Sequence, residues 1–315
     1  MVSLLKVPAR LGAALFATGL LVAAGASVAR PGTVNYAEGS VTLAGQSIGA
    51  RQIGQAEVEE GQVLATTHGK AEMLLTPGVL MRLGDNSAVK MVSPSLTDTR
   101  VELLHGEAMI EAAQVRDENR IDVIDGGYDV RIQKHGIYRF DADRPTVAVF
   151  DGKAKVLTDD NKGIEVGKGK QLALGTDAKP RSFDREQTDD LYAWSKLRSG
   201  YLADANLAAV QTVVVGGPGW YGSGWYWSPW YRTWAFVPGD GYLVSPFGFG
   251  FYSPSYWYSV GPIYGYPYRG YAYRGVPYRT FVPPAHGGVF RGAPAVGGGR
   301  VVGGGARALG RGARM

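Results

Sequence analysis

Between residues 33 and 175 apolar and polar side chains alternate in short runs, and this period of two constrains the fold more than any other feature. Tyr128, Val130 and Ile132 point one way, while Asp129, Arg131 and Gln133 point the other. A hairpin is legible where Ala71, Met73, Leu75 and then Val79, Met81, Leu83 flank Thr76-Pro77-Gly78. There proline presets φ and glycine supplies the positive φ of a type II turn. Further runs at Val101–Leu104, Ala108–Ala112, Ile121–Ile124, Thr146–Phe150 and Lys153–Leu157 are punctuated by Asp125-Gly126-Gly127 and Asp151-Gly152. Strands this short, at this spacing, predict a mainly β chain: a single all-β sandwich or roll of short antiparallel strands.

The N-terminus carries a different signal. Lys6 and Arg10 precede the apolar run Leu11–Ala24, followed by the small-residue exits Ala24-Gly25-Ala26 and Ser27-Val28-Ala29. Residues 1–26 therefore read as a secretory signal peptide, cleaved at Ala26 or Ala29, with an uncleaved anchor as the alternative. The expected location is the periplasm or cell surface. No cysteine occurs in the 315 residues, which removes disulfide staples, thiolate metal sites, a cysteine nucleophile and a lipidated cysteine. The net charge of +5 is uneven: residues 216–315 hold nine arginines and one acid, Asp240, whereas the body from 27 to 215 is mildly acidic.

Several runs in the body resemble the FecR domain family. Glu38-Gly39-Ser40-Val41, Glu60-Gly61-Gln62-Val63-Leu64-Ala65-Thr66 and Met73 to Leu83 resemble its opening strands. Val101-Glu102-Leu103-Leu104-His105-Gly106-Glu107-Ala108 resembles its V-x-L-x-x-G-E strand pair, and Val147 to Ala154 its V-x-V-x-x-G hairpin. Val166-Gly167-Lys168-Gly169-Lys170-Gln171-Leu172 resembles the closing turn and strand. The resemblance covers a β domain at 33–175 and implies an envelope setting. Its best-known members relay the state of an outer-membrane iron transporter to a cytoplasmic sigma factor. Those regulators carry a sigma-binding domain and a membrane helix first, whereas this sequence opens on the export segment, and His135 to Phe140 stands where the family shows a G-T-x-F-like element.

After the body, an amphipathic helix is predicted over 184–208. Asp184 and Gln187 form a capping-box pattern, and Leu191, Trp194, Leu197, Tyr201 and Leu202 recur at helical spacing as one buried stripe. Composition then changes abruptly. Residues 216–283 form an aromatic Gly/Pro-rich region with 24 aromatics and only five charges, and residues 284–315 form an Arg/Gly tail expected to be disordered.

Within the aromatic region Trp220, Trp225 and Trp230 recur every five residues, as do the Tyr268-Arg269, Tyr273-Arg274 and Tyr278-Arg279 pairs. Neither helix nor strand has that period, so extended segments with Gly/Pro turns, or an irregular aromatic-clad layer, are expected, and Phe236 to Leu243 and Ser245 to Pro254 read as short turns and strands. These nine residues are the candidate ligand-binding or partner-binding set. The aromatics can pack back onto the body, stack on sugar rings, or self-associate. Export argues against the nucleic-acid binding that Tyr–Arg repeats would otherwise suggest.

The four histidines, His68, His105, His135 and His286, have no close-spaced partner, and no nucleophile elbow, phosphate loop or dinucleotide motif is present. Catalytic, cofactor-binding and metal-binding residues are therefore not assigned. The expectation is a non-catalytic exported envelope protein that binds or scaffolds, its partner an envelope glycan or envelope protein. The Arg tail offers peripheral contact with an anionic membrane surface. A signal-relay module contacting an outer-membrane transporter is the alternative, and a glycan hydrolase built from distant carboxylates a third reading.

Overall fold

The alternation becomes strands that follow one hydrogen-bonded path, bent over on itself into two layers. In chain order they are β1 (Val34–Leu43), β2 (Gln46–Ser47), β3 (Val63–Leu74), β4 (Val79–Leu83), β5 (Ala88–Ser95), β6 (Asp98–His105) and β7 (Glu107–Ala112). There follow β8 (Arg120–Asp125), β9 (Tyr128–Ile132), β10 (Gly136–Asp141), β11 (Thr146–Asp151), β12 (Lys153–Val156), β13 (Ile164–Gly167), β14 (Lys170–Ala173) and β15 (Arg181–Ser182). This computed structural model describes residues 29–157, 163–175, 179–214 and 222–260. Residues 1–28, on which the signal-peptide expectation falls, lie outside the described residues, as do Trp220 and the stretch 261–315.

Neighbouring strands run β13-β12-β9-β8-β6-β5-β3-β4-β7-β10-β11-β14-β15, with β1 along β3. The pivot is β3: Val63–Ala65 pair with β5, whereas Ala71–Leu74 pair with β4. β1 follows β3 through the bend, with a register shift between Gly39 and Val41. At that bend Gly39 faces Gly69, and a Cβ on either would collide with the opposing main chain. The bend divides the path into arm A (β5, β6, β8, β9, β12, β13) and arm B (β4, β7, β10, β11, β14, β15). Their facing side chains share one aliphatic core, including Val101, Val123 and Val130 from arm A and Ile110, Phe140 and Val149 from arm B.

The Thr76-Pro77-Gly78 hairpin forms as expected. Gly78 has φ +86° and the Val79 N–H donates to the Thr76 carbonyl at 2.7 Å. Two other expectations need correction. β6 and β7 are consecutive but not paired, since β6 lies between β5 and β8 and β7 between β4 and β10. The same holds for β11 and β12, the run that resembles a hairpin. Gly106 (φ +74°) and Gly152 (φ +97°) carry the chain from one arm to the other. Under Gly152 the buried Tyr138 hydroxyl donates to the Lys134 carbonyl at 2.5 Å and accepts from the Lys153 N–H at 3.1 Å, fixing the crossover. The β6–β8 pair is parallel, an exception within an otherwise antiparallel neighbourhood.

The chain then places α1 (Asp190–Val214) on arm B, followed by β16 (Gly224–Ser228), β17 (Thr233–Val237), β18 (Tyr242–Val244), β19 (Gly250–Tyr252) and α2 (Pro254–Val260). The aromatic region thus holds two hairpins, β16–β17 and β18–β19, the second of them where short turns and strands are expected. α1 starts six residues after the expected cap. Asp184 Oδ1 accepts from the Glu186 N–H within a turn, and it is Asp189 that caps the helix, accepting from the Tyr192 N–H at 2.8 Å. The expected stripe is also displaced: Leu197 and Tyr201 are exposed, while Leu191, Trp194, Arg198, Leu202, Asn206 and Ala209 face inward.

Candidate functional site

Arm B has no solvated face at its centre. Alternate residues of β3, β4 and β7 turn Leu74, Leu80 and Met109 outward, together with Glu72, Arg82 and Glu111. Leu74 and Leu80 pack under Leu202, Trp225, Trp234, Phe236 and Phe251, and Met109 under Leu191 and Trp194. The three charged residues form a fully buried seam beneath α1.

Arg82 is the centre of that seam. Its Nε donates to Glu72 Oε2 at 2.8 Å and its Nη1 to Glu111 Oε2 at 2.7 Å. From α1, Arg198 Nη2 donates to Glu72 Oε1 at 2.8 Å and Ser199 Oγ to Glu111 Oε1 at 2.5 Å. The Arg198 guanidinium also lies 4.0 Å from the centre of the Tyr36 ring. Two acids and two bases balance to zero, which is how charges survive without water. Burial alone would raise the Glu72 pKa, but the neighbouring Arg198 and Arg82 charges and hydrogen bonds outweigh it and hold the carboxyl down at about 2.

Two asparagines tie main chain to this region. Asn35 on β1 accepts from the Trp234 N–H at 2.8 Å and donates to the Trp234 carbonyl at 3.0 Å, standing in for a strand neighbour of β17. Asn206 on α1 donates to the Phe236 and Tyr252 carbonyls and accepts from the Tyr252 N–H at 2.9 Å. None of these polar residues stood out in the sequence. A hydrophobic count skips Arg, Ser and Asn on a helix face, and the one available hint was charge at the outward positions of strands otherwise apolar on both sides.

Two of the nine residues singled out in the sequence, Trp225 and Trp230, lie among the described residues. Trp225 is buried at 8% exposure, edge-on to Phe236 with centroids 6.0 Å apart, so its face is closed to a ligand. Trp230 is 56% exposed in the turn between β16 and β17. The reason is geometric: β16 ends at Ser228, so a five-residue spacing carries Trp230 off the strand and into the turn. Trp220, Tyr268, Arg269, Tyr273, Arg274, Tyr278 and Arg279 lie outside the described residues.

A different aromatic group faces outward. Tyr242, Tyr252 and Tyr256 have ring centroids 6.3, 5.1 and 6.0 Å apart, a triangle rather than a column, and Tyr252 lies within 19° of parallel with Tyr256. Tyr242 is 46% exposed. Asp240 at the rim bonds Ser255 Oγ at 3.2 Å. Flat phenol faces with hydroxyl and carboxylate neighbours can stack on an apolar ring face and hydrogen-bond its polar edge.

A groove of about 290 Å³ beside the start of α1 is lined by Lys70, Asp85, Glu107, Asp141, Asp189 and Asp190. Most of its carboxylates already have cations: Lys70 reaches Asp190 at 2.6 Å, and Arg139 reaches Glu107 and Asp189 at 2.6 Å each. Among the described residues no three His, Asp or Glu side chains are grouped so as to hold a metal ion. His105 and His135 instead contact the carbonyls of Asn86 and Val244.

Residues 61–155, from β3 into β12, match the family described as FecR protein, and the chain carries a FecR domain over that stretch. Two crystal structures of a candidate anti-sigma factor from Parabacteroides distasonis ATCC 8503 are similar, at 17% and 16% identity and a TM-score of 0.35 each. The alignment covers 42% of this chain and 64% of that protein, so this chain spans less than two thirds of its length. A comparison with curated proteins gives no match. Among the described residues no helix is long and apolar enough to cross a membrane.

Proposed function

We propose that this protein is an exported, non-catalytic binding module of the cell envelope, in which a FecR domain carries an aromatic layer that meets the partner. The observation behind this reading is the division of the aromatics. Trp225, Trp234, Phe236 and Phe251 anchor the layer to arm B, while Tyr242, Tyr252 and Tyr256 form a ring-faced patch on its outside. The partner is an envelope glycan whose sugar rings stack on that patch. The test is a pull-down of the purified protein on cell-wall glycan, with Tyr242→Ala/Tyr256→Ala as the control. Retention of the parent and loss in the variant supports the reading, and equal retention of both removes the patch from it.

A second reading has its own support. The FecR match suits relay between envelope proteins, and arm A leaves a charged, solvated sheet face open for a protein partner. Capture of an outer-membrane protein by parent and tyrosine variant alike, with no glycan retained, would favour relay.

A further inference from the structure

We propose that α1 and the two C-terminal hairpins form a detachable cover that lifts from arm B as one body and re-docks in a single register through the Glu72–Arg82–Glu111–Arg198 seam. This goes beyond the binding role above and does not depend on it.

Three features carry the inference. First, the sandwich keeps its own core without the cover, because every buried residue of that core lies between Val34 and Leu172. Second, the cover is internally tied: Asn206 holds α1 to β17 and β19, and Ala209 and Val210 pack with Val237 and Trp257. Third, the surface between them is held by ions as well as by apolar contacts. Buried charges return to favourable hydration when a seam opens, so an ionic seam separates more readily than an apolar one of the same shape. The seam is also incompletely satisfied, since Arg82 Nη2 and Arg198 Nε are buried with no hydrogen-bond partner.

Polar geometry also sets the register. Arg198 meets Glu72, Ser199 meets Glu111 and Asn35 brackets the Trp234 peptide, three matches that a one-turn slip of α1 would lose together. Aliphatic contact alone would tolerate such a slip better. The device is therefore a two-state lid in which charge sets alignment and keeps the opening free energy below that of the sandwich.

Native-state hydrogen exchange on the full chain tests this. Amides of α1 and β16–β19 should exchange together through an opening that leaves β6, β8 and β9 protected. Replacing the seam by apolar residues (Glu72→Met, Arg82→Met, Glu111→Leu, Arg198→Met) should slow exchange of the cover by about tenfold without changing β8 and β9. In the parent chain, exchange of α1 only through the same global event as β8 and β9 overturns the proposal, and that result is available even where the fourfold variant fails to fold. An unchanged or faster cover in a folded fourfold variant overturns it as well.

Discussion

Arm A and arm B share one aliphatic core, yet their outer faces differ in kind. On arm A the outward positions are charged, and most keep about a third of the side chain exposed: Arg131 pairs with the buried Asp122 at 2.8 Å, Arg100 with Asp129 at 3.1 Å, and Lys90 with Glu102. On arm B the corresponding positions are Leu80, Arg82, Met109 and Glu111, all buried. Water finishes the first face, whereas protein must finish the second. The difference teaches what the aromatics of β16–β19 are for: much of their apolar area closes arm B, so only the remainder is available to a partner. It also shows how differently the same ion pair behaves in the two settings, since exposed pairs contribute little and breaking a buried pair strands a charge.

The sharpest way to break the comparison is to delete one arginine from each arm. Arg82→Ala should cost about 3–5 kcal/mol because Glu72 and Glu111 lose their shared cation in a dry site, and Arg100→Ala, whose partner Asp129 stays in water, at most about 1 kcal/mol. Equal midpoints in urea unfolding would mean that the seam is wetter than its geometry indicates. The two tryptophans divide in the same way. Trp225→Ala should cost about 3 kcal/mol as a buried aromatic truncation, and Trp230→Ala less than about 0.5 kcal/mol as an exposed one.

Acid titration separates the interior from the seam by sign. Asp125 lies on the inner side of arm A at the end of β8, fully buried. Burial pushes its carboxyl up to about 7, against the Thr146 main-chain N–H and with added repulsion from Asp141. The folded state therefore holds a proton that the unfolded chain releases near 3.8, and stability falls as pH rises through 7. Glu72 has the opposite sign: its contribution is complete above 4.5 and is lost as pH falls toward 2. Stability should peak near pH 4–5 and decline by about 2 kcal/mol between about pH 5 and pH 7. Asp125→Asn should flatten that decline, and a decline of the same size in the variant would assign it to another group. At the helix start Asp189→Ala should cost about 1 kcal/mol through loss of the cap, read as a shift in melting temperature.

Much of the sandwich was legible because its signal is local. Tyr128, Val130 and Ile132 do face the core, and Thr76-Pro77-Gly78 does turn the β3–β4 hairpin. The crossovers at Gly106 and Gly152 were not legible, because a strand–turn–strand run looks alike whether the second strand pairs with the first or crosses to the other arm. The binding candidates were less legible still. Repetition every five residues singled out Trp225 and Trp230, but burial depends on the partner surface, and arm B took Trp225 while leaving Trp230 outside. The seam escaped for a related reason: Glu72, Arg82, Glu111 and Arg198 are spread over 126 residues and read singly as surface charge.

By itself the sequence determined the strand-rich body, the places of its turns, the FecR resemblance and the concentration of aromatics after residue 216. Side-chain alternation and turn chemistry act between near neighbours, so they are written in order along the chain. Only the tertiary structure decided which sheet face is dry, which arginines are buried and which tyrosines face outward. Those properties depend on dielectric and contact between segments far apart in sequence, and neither exists until the cover lies on the sheet.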